Sequence, residues 1–284
     1  MKLSCCAGLA SFVPQTVDAK QLDTGAAYKA KLEKAPATLK TLSEAGCDFF
    51  EFGVGMLCPE SPRSLFEEFK NLVSDYSLRA DCFNSFIPAD LKVTGPDVDK
   101  ARLDNYLAAA TERAAELGGE IIVFGSGGAR HVPEGFSRTR AHDQILDFLD
   151  AAANYAGEHE LVIAIEHLNR SETNIITSIA EAVQFADELN KPEVQVLVDF
   201  YHQMLEGEGF DEIVRAGERI VHVHVADTDR LYPGSGRYDY QHFAKSLADA
   251  GYNKRVSVEC NFRDFDQEVP QSIQFLQKVF NAAQ

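Results

Sequence analysis

Short runs of Val, Ile and Leu alternate along the chain with longer segments in which apolar residues recur every three or four positions. The short runs fall at 2–6, 48–53, 78–84, 120–124, 161–166, 194–199, 220–225 and 256–259. A near-continuous apolar run of that length reads as a strand buried on both faces. The longer segments, at 27–45, 62–75, 97–117, 137–157, 178–189, 211–216, 240–250 and 266–282, carry helical periodicity. Several of them stop on glycine, as in Leu117-Gly118-Gly119 and Ala250-Gly251, where a left-handed cap ends a helix. Strand–helix alternation with no hairpin dipeptide between strands predicts a parallel sheet, and eight units closing on themselves predict a single (β/α)8 TIM barrel over 1–284. Loops at 86–96, 125–135 and 226–239 are rich in Gly, Pro and charge and are expected to roof one end of that barrel.

Four of the strands in the second half close on the same kind of residue. Glu166 follows LVIAI, Asp199 follows VQVLV, His224 follows IVHV and Glu259 follows RVSV. Any one of these is either a metal ligand or a solvent-facing strand end. The recurrence at intervals of roughly 25 to 35 residues, about one strand–loop–helix unit each, favours ligands gathered at the C-terminal mouth, where barrel enzymes keep their active sites. Three carboxylates and one imidazole suit Mn²⁺, Mg²⁺ or Co²⁺ better than a structural Zn²⁺.

Neighbouring motifs are more ambiguous. His222 and His224 share one face of their strand by period two, and His224, nearer the mouth, is the expected ligand, with His222 a hydrogen-bonded core residue. His202, three residues past Asp199, either sits over the pocket as a donor to substrate or packs under a loop. The turn Gly125-Ser126-Gly127-Gly128 lacks the lysine of a phosphate loop and reads as a tight loop giving backbone access to substrate. His131, His142, His159, His167 and His242 have no partners at ligand spacing.

Composition narrows the partners. A formal charge of −17 with no Lys/Arg cluster opposes binding to a phosphate backbone, so nucleic acid is not expected. The six cysteines show no CxxC spacing, and Cys5 and Cys6 are adjacent, a geometry too strained for an ordinary bridge, so reduced thiols and a cytoplasmic location are expected. No segment reaches membrane-spanning length, and the triplet Leu3-Ser4-Cys5 resembles a lipoprotein cleavage site with no room ahead of it. Barrels of this type often pair further, so a homodimer or homotetramer is among the expected partners.

With these residues in view, the chain resembles the xylose-isomerase-like barrel superfamily of sugar phosphate isomerases and epimerases, and within it the ketose 3-epimerases of the D-tagatose/D-psicose type. The resemblance rests on Glu166 with Asn169, Arg170 and Glu172, on Asp199 with His202, on His222-Val223-His224 followed by Arg230 and the 233–237 turn PGSGR, and on Val258-Glu259. It implies that Glu166, Asp199, His224 and Glu259 bind one divalent metal, usually manganese. It also implies that Glu172, His202 and Arg230 hold the hydroxyl and carbonyl end of a small-molecule sugar. The N-terminal half matches only in rhythm.

The expected reaction is proton transfer beside a ketone through a metal-stabilised enediolate, with Glu166 and Glu259 as the catalytic pair on opposite faces. Inosose dehydration or isomerisation, an oxidised-sugar lyase and hydroxypyruvate isomerisation use the same metal site and stay open. An apurinic endonuclease needs more ligands and a basic face, and a non-catalytic sugar-binding subunit is expected to have lost a ligand. The loops offer Lys92, Arg130, Arg230 and Arg237 as cations for a charged substrate. Because Arg230 is already committed by the resemblance and Arg237 follows a glycine turn, an unphosphorylated ketose is the expected substrate.

Overall fold

Residues 1–7 and 24–283 are described in the computed structural model of the protein. Eight parallel strands close in sequence order into a barrel: β1 (Lys2–Ala7), β2 (Glu51–Gly53), β3 (Cys82–Asn84), β4 (Ile121–Phe124), β5 (Val162–Glu166), β6 (Val194–Asp199), β7 (Ile220–Val225) and β8 (Arg255–Val258). β1 pairs with both β2 and β8, which completes the ring and leaves no edge strand. The connecting helices are α1 (Thr24–Glu44), α2 (Arg63–Ser74), α3 (Lys100–Glu116), the single turn α4 (Gly127–Arg130), α5 (Arg138–Gly157), α6 (Ile179–Leu189), α7 (Phe200–Glu206), α8 (Asp211–Ala216), α9 (Tyr240–Asp249) and α10 (Phe265–Ala282). Among the described residues, no helix is long and apolar enough to cross a membrane.

The helix starts are written in the sequence. Asp99, Ser137, Ser178, Asp239 and Asp264 each accept a hydrogen bond from the backbone N–H three residues on, which satisfies a donor left free by the first turn. Outward-facing strand residues pack with the helices into one large core that includes Phe52, Phe83, Phe124 and Phe200. The barrel interior holds a much smaller apolar layer of Phe49, Cys82, Ile121, Val123, Ala164 and Leu197. Above it the inward positions turn polar.

Three details depart from the expected elements. β2 and β3 are shorter than the apolar runs at 48–53 and 78–84, because their first residues bond irregularly, Phe50 N–H to Arg79 O and the N–H groups of Glu120 and Ile121 both to Asp81 O. The helix α7 follows β6 without a loop, started by Asp199 and stopped by the left-handed Gly207. The pairing of β6 with β7 shifts register between Val196 and Leu197, which sets Leu197 beside His222 and Asp199 beside His224.

Arg130, expected among the rim cations, is not one of them. It ends α4, and its side chain is fully buried, donating to the carbonyls of Phe124, Glu166 and Ile176 and lying over the Phe124 ring. Burial lowers its pKa to about 10, so it stays charged at neutral pH. It braces the end of β5 instead of meeting a solute. Arg130→Met should therefore strand up to three buried carbonyls, at about 1–3 kcal/mol each, and lower the melting temperature by several degrees. An unchanged melting temperature in that variant would contradict the bracing role.

Candidate metal centre

The four strand-closing residues meet. Glu166, Asp199, His224 and Glu259 each place one ligand atom within 4.8 Å of all the others, the first three buried and Glu259 partly exposed. β5, β6 and β7 are consecutive and β8 closes onto β7, so parallel strands of matched register bring their ends to one level of the mouth. Asp199 has two separate tasks. Its Oδ1 caps α7 through the His202 N–H at 2.9 Å, and its Oδ2 is buried with no protein partner. A buried carboxylate oxygen without a donor is costly, and one facing two further carboxylates has the chemistry that a cation would satisfy.

The His224 ring is gripped at both nitrogens. Nδ1 lies 3.1 Å from Glu166 Oε1 and 3.9 Å from Glu259 Oε2, while Nε2 lies 2.8 Å from Glu51 Oε1 and 3.7 Å from Cys6 Sγ. Burial by itself disfavours a charged imidazole; the Cys6 and Glu51 side chains, with the bond to Glu166, outweigh it and hold the ring's pKa well above its ordinary value. Burial likewise raises Glu166, a shift that the hydrogen bond from His224 opposes and the nearby Glu259 reinforces. For Asp199 burial acts upward but loses to the fields of His202, Arg230 and His224, so this carboxyl stays ionised below its usual range.

Glu51 was not singled out by the sequence. It is fully buried on β2, across the barrel from β7, and its Oε2 accepts from His222 Nε2 at 2.7 Å. The signal was present, since Glu51 interrupts an aromatic run, Phe49-Phe50-Glu51-Phe52, as a charged residue among buried apolar ones. His222 is the hydrogen-bonded core residue expected of it.

The cavity above the centre is about 240 Å³. Ser85, Ile87 and Ala89 from the β3 loop and Ser126, Gly127 and Gly128 from the β4 loop form one wall; Glu172, Arg230 and Glu259 form the other. A Cβ at Gly125 would come within 2.1 Å of Glu166 Oε2, so a side chain there would push that carboxylate out of its place. Lys92 is half-buried and bonds Gly128 O, and Arg237 is exposed on its loop. Arg230 spans the cavity wall, with Nη1 2.9 Å from Glu172 Oε1 and Nη2 2.6 Å from Glu259 Oε2. It is held there by left-handed backbone at Asp229 (φ 60°) and Arg230 (φ 56°), braced by buried Asp227, whose carboxylate accepts from the N–H groups of Thr228, Gly234 and Tyr238. His202 is buried and is not among the residues lining the cavity. Its Nδ1 accepts from the Asn169 backbone N–H at 3.3 Å and contacts the Asn169 amide at 2.8 Å, so Nε2 bears the proton and has no protein partner.

Residues 39–279 match the model of the xylose isomerase-like TIM barrel family, and the chain belongs to that family. An L-ribulose 3-epimerase from Methylomonas sp. is 30% identical over 196 residues, 67% of each chain. A D-psicose 3-epimerase from Agrobacterium fabrum is 27% identical over 155 residues, about half of each chain. The crystal structure of a Methylomonas D-allulose 3-epimerase in complex with D-allulose superposes with a TM-score of 0.79 at 23% identity, over 98% of this chain and 97% of that one.

The protonation pattern predicts how a cation enters. A cation held by these four residues would need a bare Nδ1 on His224 and an ionised Glu166, and both groups hold their protons to higher pH than usual, so Mn²⁺ affinity should climb as pH rises and level off once both have ionised. Titration calorimetry near neutral pH in buffers of different ionisation enthalpy should register about one proton or more released per Mn²⁺ bound. Proton-neutral binding would contradict the assignment.

Proposed function

We propose that the protein is a divalent-metal-dependent ketose epimerase or isomerase that moves a proton beside a sugar ketone. The observation that carries this reading is the convergence of Glu166 and Glu259 from separate strands on one cluster of cation ligands below a small polar cavity. The L-ribulose and D-psicose 3-epimerases among its relatives support the substrate class. Glu166, Asp199, His224 and Glu259 would hold one cation, Mn²⁺ by preference, with Mg²⁺ or Co²⁺ in its place. When bound, the cation supplies Lewis-acid stabilisation of the charge that develops on the substrate oxygens, worth several kcal/mol.

The chain's own groups do the rest. One of the two glutamates takes the proton from the carbon next to the carbonyl, giving the planar enediolate, and the other delivers a proton to the opposite face. Which of them begins depends on the handedness of the substrate. Glu172 and Arg230 would bind sugar hydroxyl and carbonyl groups, and Arg230 also fixes the Glu259 carboxylate. His202 would donate from Nε2 to a sugar oxygen that reaches it.

An unphosphorylated ketose fits the charges. Among the described residues lining the cavity, Arg230 is the one cation, and both of its terminal nitrogens already face carboxylates. A phosphate would add charge to a wall that is already acidic.

The test is a panel of free ketoses, ketose phosphates, inososes and hydroxypyruvate assayed with Mn²⁺ in D₂O. Free ketoses should react with deuterium entering a carbon-bound position, whereas loss of water would mark elimination. Glu166→Gln and Glu259→Gln should each lower turnover by about 10²-fold or more. Near-normal turnover in both variants, or activity confined to phosphorylated sugars, would overturn the reading.

A further inference from the structure

Glu51 lies outside the four cation ligands, yet it is the most completely enclosed carboxylate near them. Enclosing a carboxylate costs several kcal/mol unless its oxygens are met by donors. Here each oxygen meets one imidazole, Oε1 the Nε2 of His224 at 2.8 Å and Oε2 the Nε2 of His222 at 2.7 Å. The two rings stand nearly perpendicular, at 81° with centroids 4.9 Å apart, so a single carboxylate plane joins two differently oriented rings. The His222 ring in turn rests edge-on against Phe49 in the apolar layer below. A rigid chain of contacts therefore runs from the barrel core through His222 and Glu51 to His224.

We propose that Glu51 is the positioning residue of the metal centre: it holds the Nε2–H of His224 and thereby turns a bare Nδ1 toward Glu166, Asp199 and Glu259, with His222 as its anchor to the core. An imidazole has two nitrogens, and the one that donates to a carboxylate leaves the other as ligand, oriented and made more basic. The weaker acceptor Cys6 Sγ, 3.7 Å from the same Nε2, cannot replace that grip. Glu51 would touch neither cation nor sugar. Its effect would pass entirely through the ring of His224.

This inference rests on the metal-centre reading above, and the experiment separates the two. Mn²⁺ affinity is measured by electron paramagnetic resonance of the free ion, for wild type, Glu51→Gln and Glu51→Asp, with thermal melting on the same samples. Wild type should bind, and Glu51→Gln should bind about 10- to 100-fold more weakly while remaining folded. Glu51→Asp keeps the charge and should recover part of the loss. A purely structural role would lower the melting temperature and leave Mn²⁺ affinity within about twofold in folded protein, and that result overturns the inference alone. Absence of Mn²⁺ binding in wild type overturns both readings.

The wild-type protein provides a second check that does not depend on the Glu51 variants. With ¹⁵N-labelled histidine and Zn²⁺ as a diamagnetic probe, the ring assigned through His224→Gln should show metal-bound Nδ1 and protonated Nε2. Coordination through Nε2 would overturn the proposal.

Discussion

The structure turns on like charges forced together. Glu166, Asp199 and Glu259 bring carboxylate oxygens within 4.8 Å of one another at the mouth of a barrel whose walls exclude water from most of them. Two such charges at that separation repel by roughly 3–4 kcal/mol at an effective dielectric of about 20, and three pairs approach the whole stability of a typical domain. The protein offsets this with positive or donating groups in fixed places: His224 between Glu166 and Glu51, Arg230 between Glu259 and Glu172, and the start of α7 at Asp199. Each has its own structural support, from the register shift that aligns β7 with β6 to the strained turn beneath Arg230. A divalent cation bound there would offset what remains of the repulsion.

Much of this was legible in the chain. A strand buried on both faces must be apolar, so a carboxylate or imidazole that ends one is conspicuous, and parallel connections of similar length bring such ends to one side. That argument places Glu166, Asp199, His224 and Glu259 together without coordinates. It does not reach contacts across the barrel. Glu51 meets His222 and His224 from a strand three positions away around the ring, with β8 and β1 between, and no local pattern encodes that meeting. Arg130 misleads for the complementary reason. A charged residue in a Gly-rich loop reads as exposed, whereas three carbonyls converging on it make burial tolerable. The short helix α7 was hidden because the residue that starts it also reads as a ligand.

The cavity above the cluster is asymmetric. One wall of the cavity is charged and internally paired, and the other is built from backbone and small side chains of the β3 and β4 loops, Ser85, Ala89, Ser126, Gly127 and Gly128. The first wall offers both hydrogen-bond donors and acceptors. The second carries little side-chain bulk, and the glycine at 125 lets the Glu166 carboxylate lie close to the backbone there. The cluster of carboxylates and imidazole thus comes from the ends of β5 to β8, and the loops after β3 and β4 line the cavity beside it.

The central claim is that the four strand ends form one cation site. It is tested most directly by diffraction from crystals grown with Mn²⁺, collected at the manganese absorption edge. A single anomalous peak is expected within bonding distance of Glu166, Asp199, His224 Nδ1 and Glu259. No peak among those four residues, or a peak bound elsewhere on the chain, would contradict it.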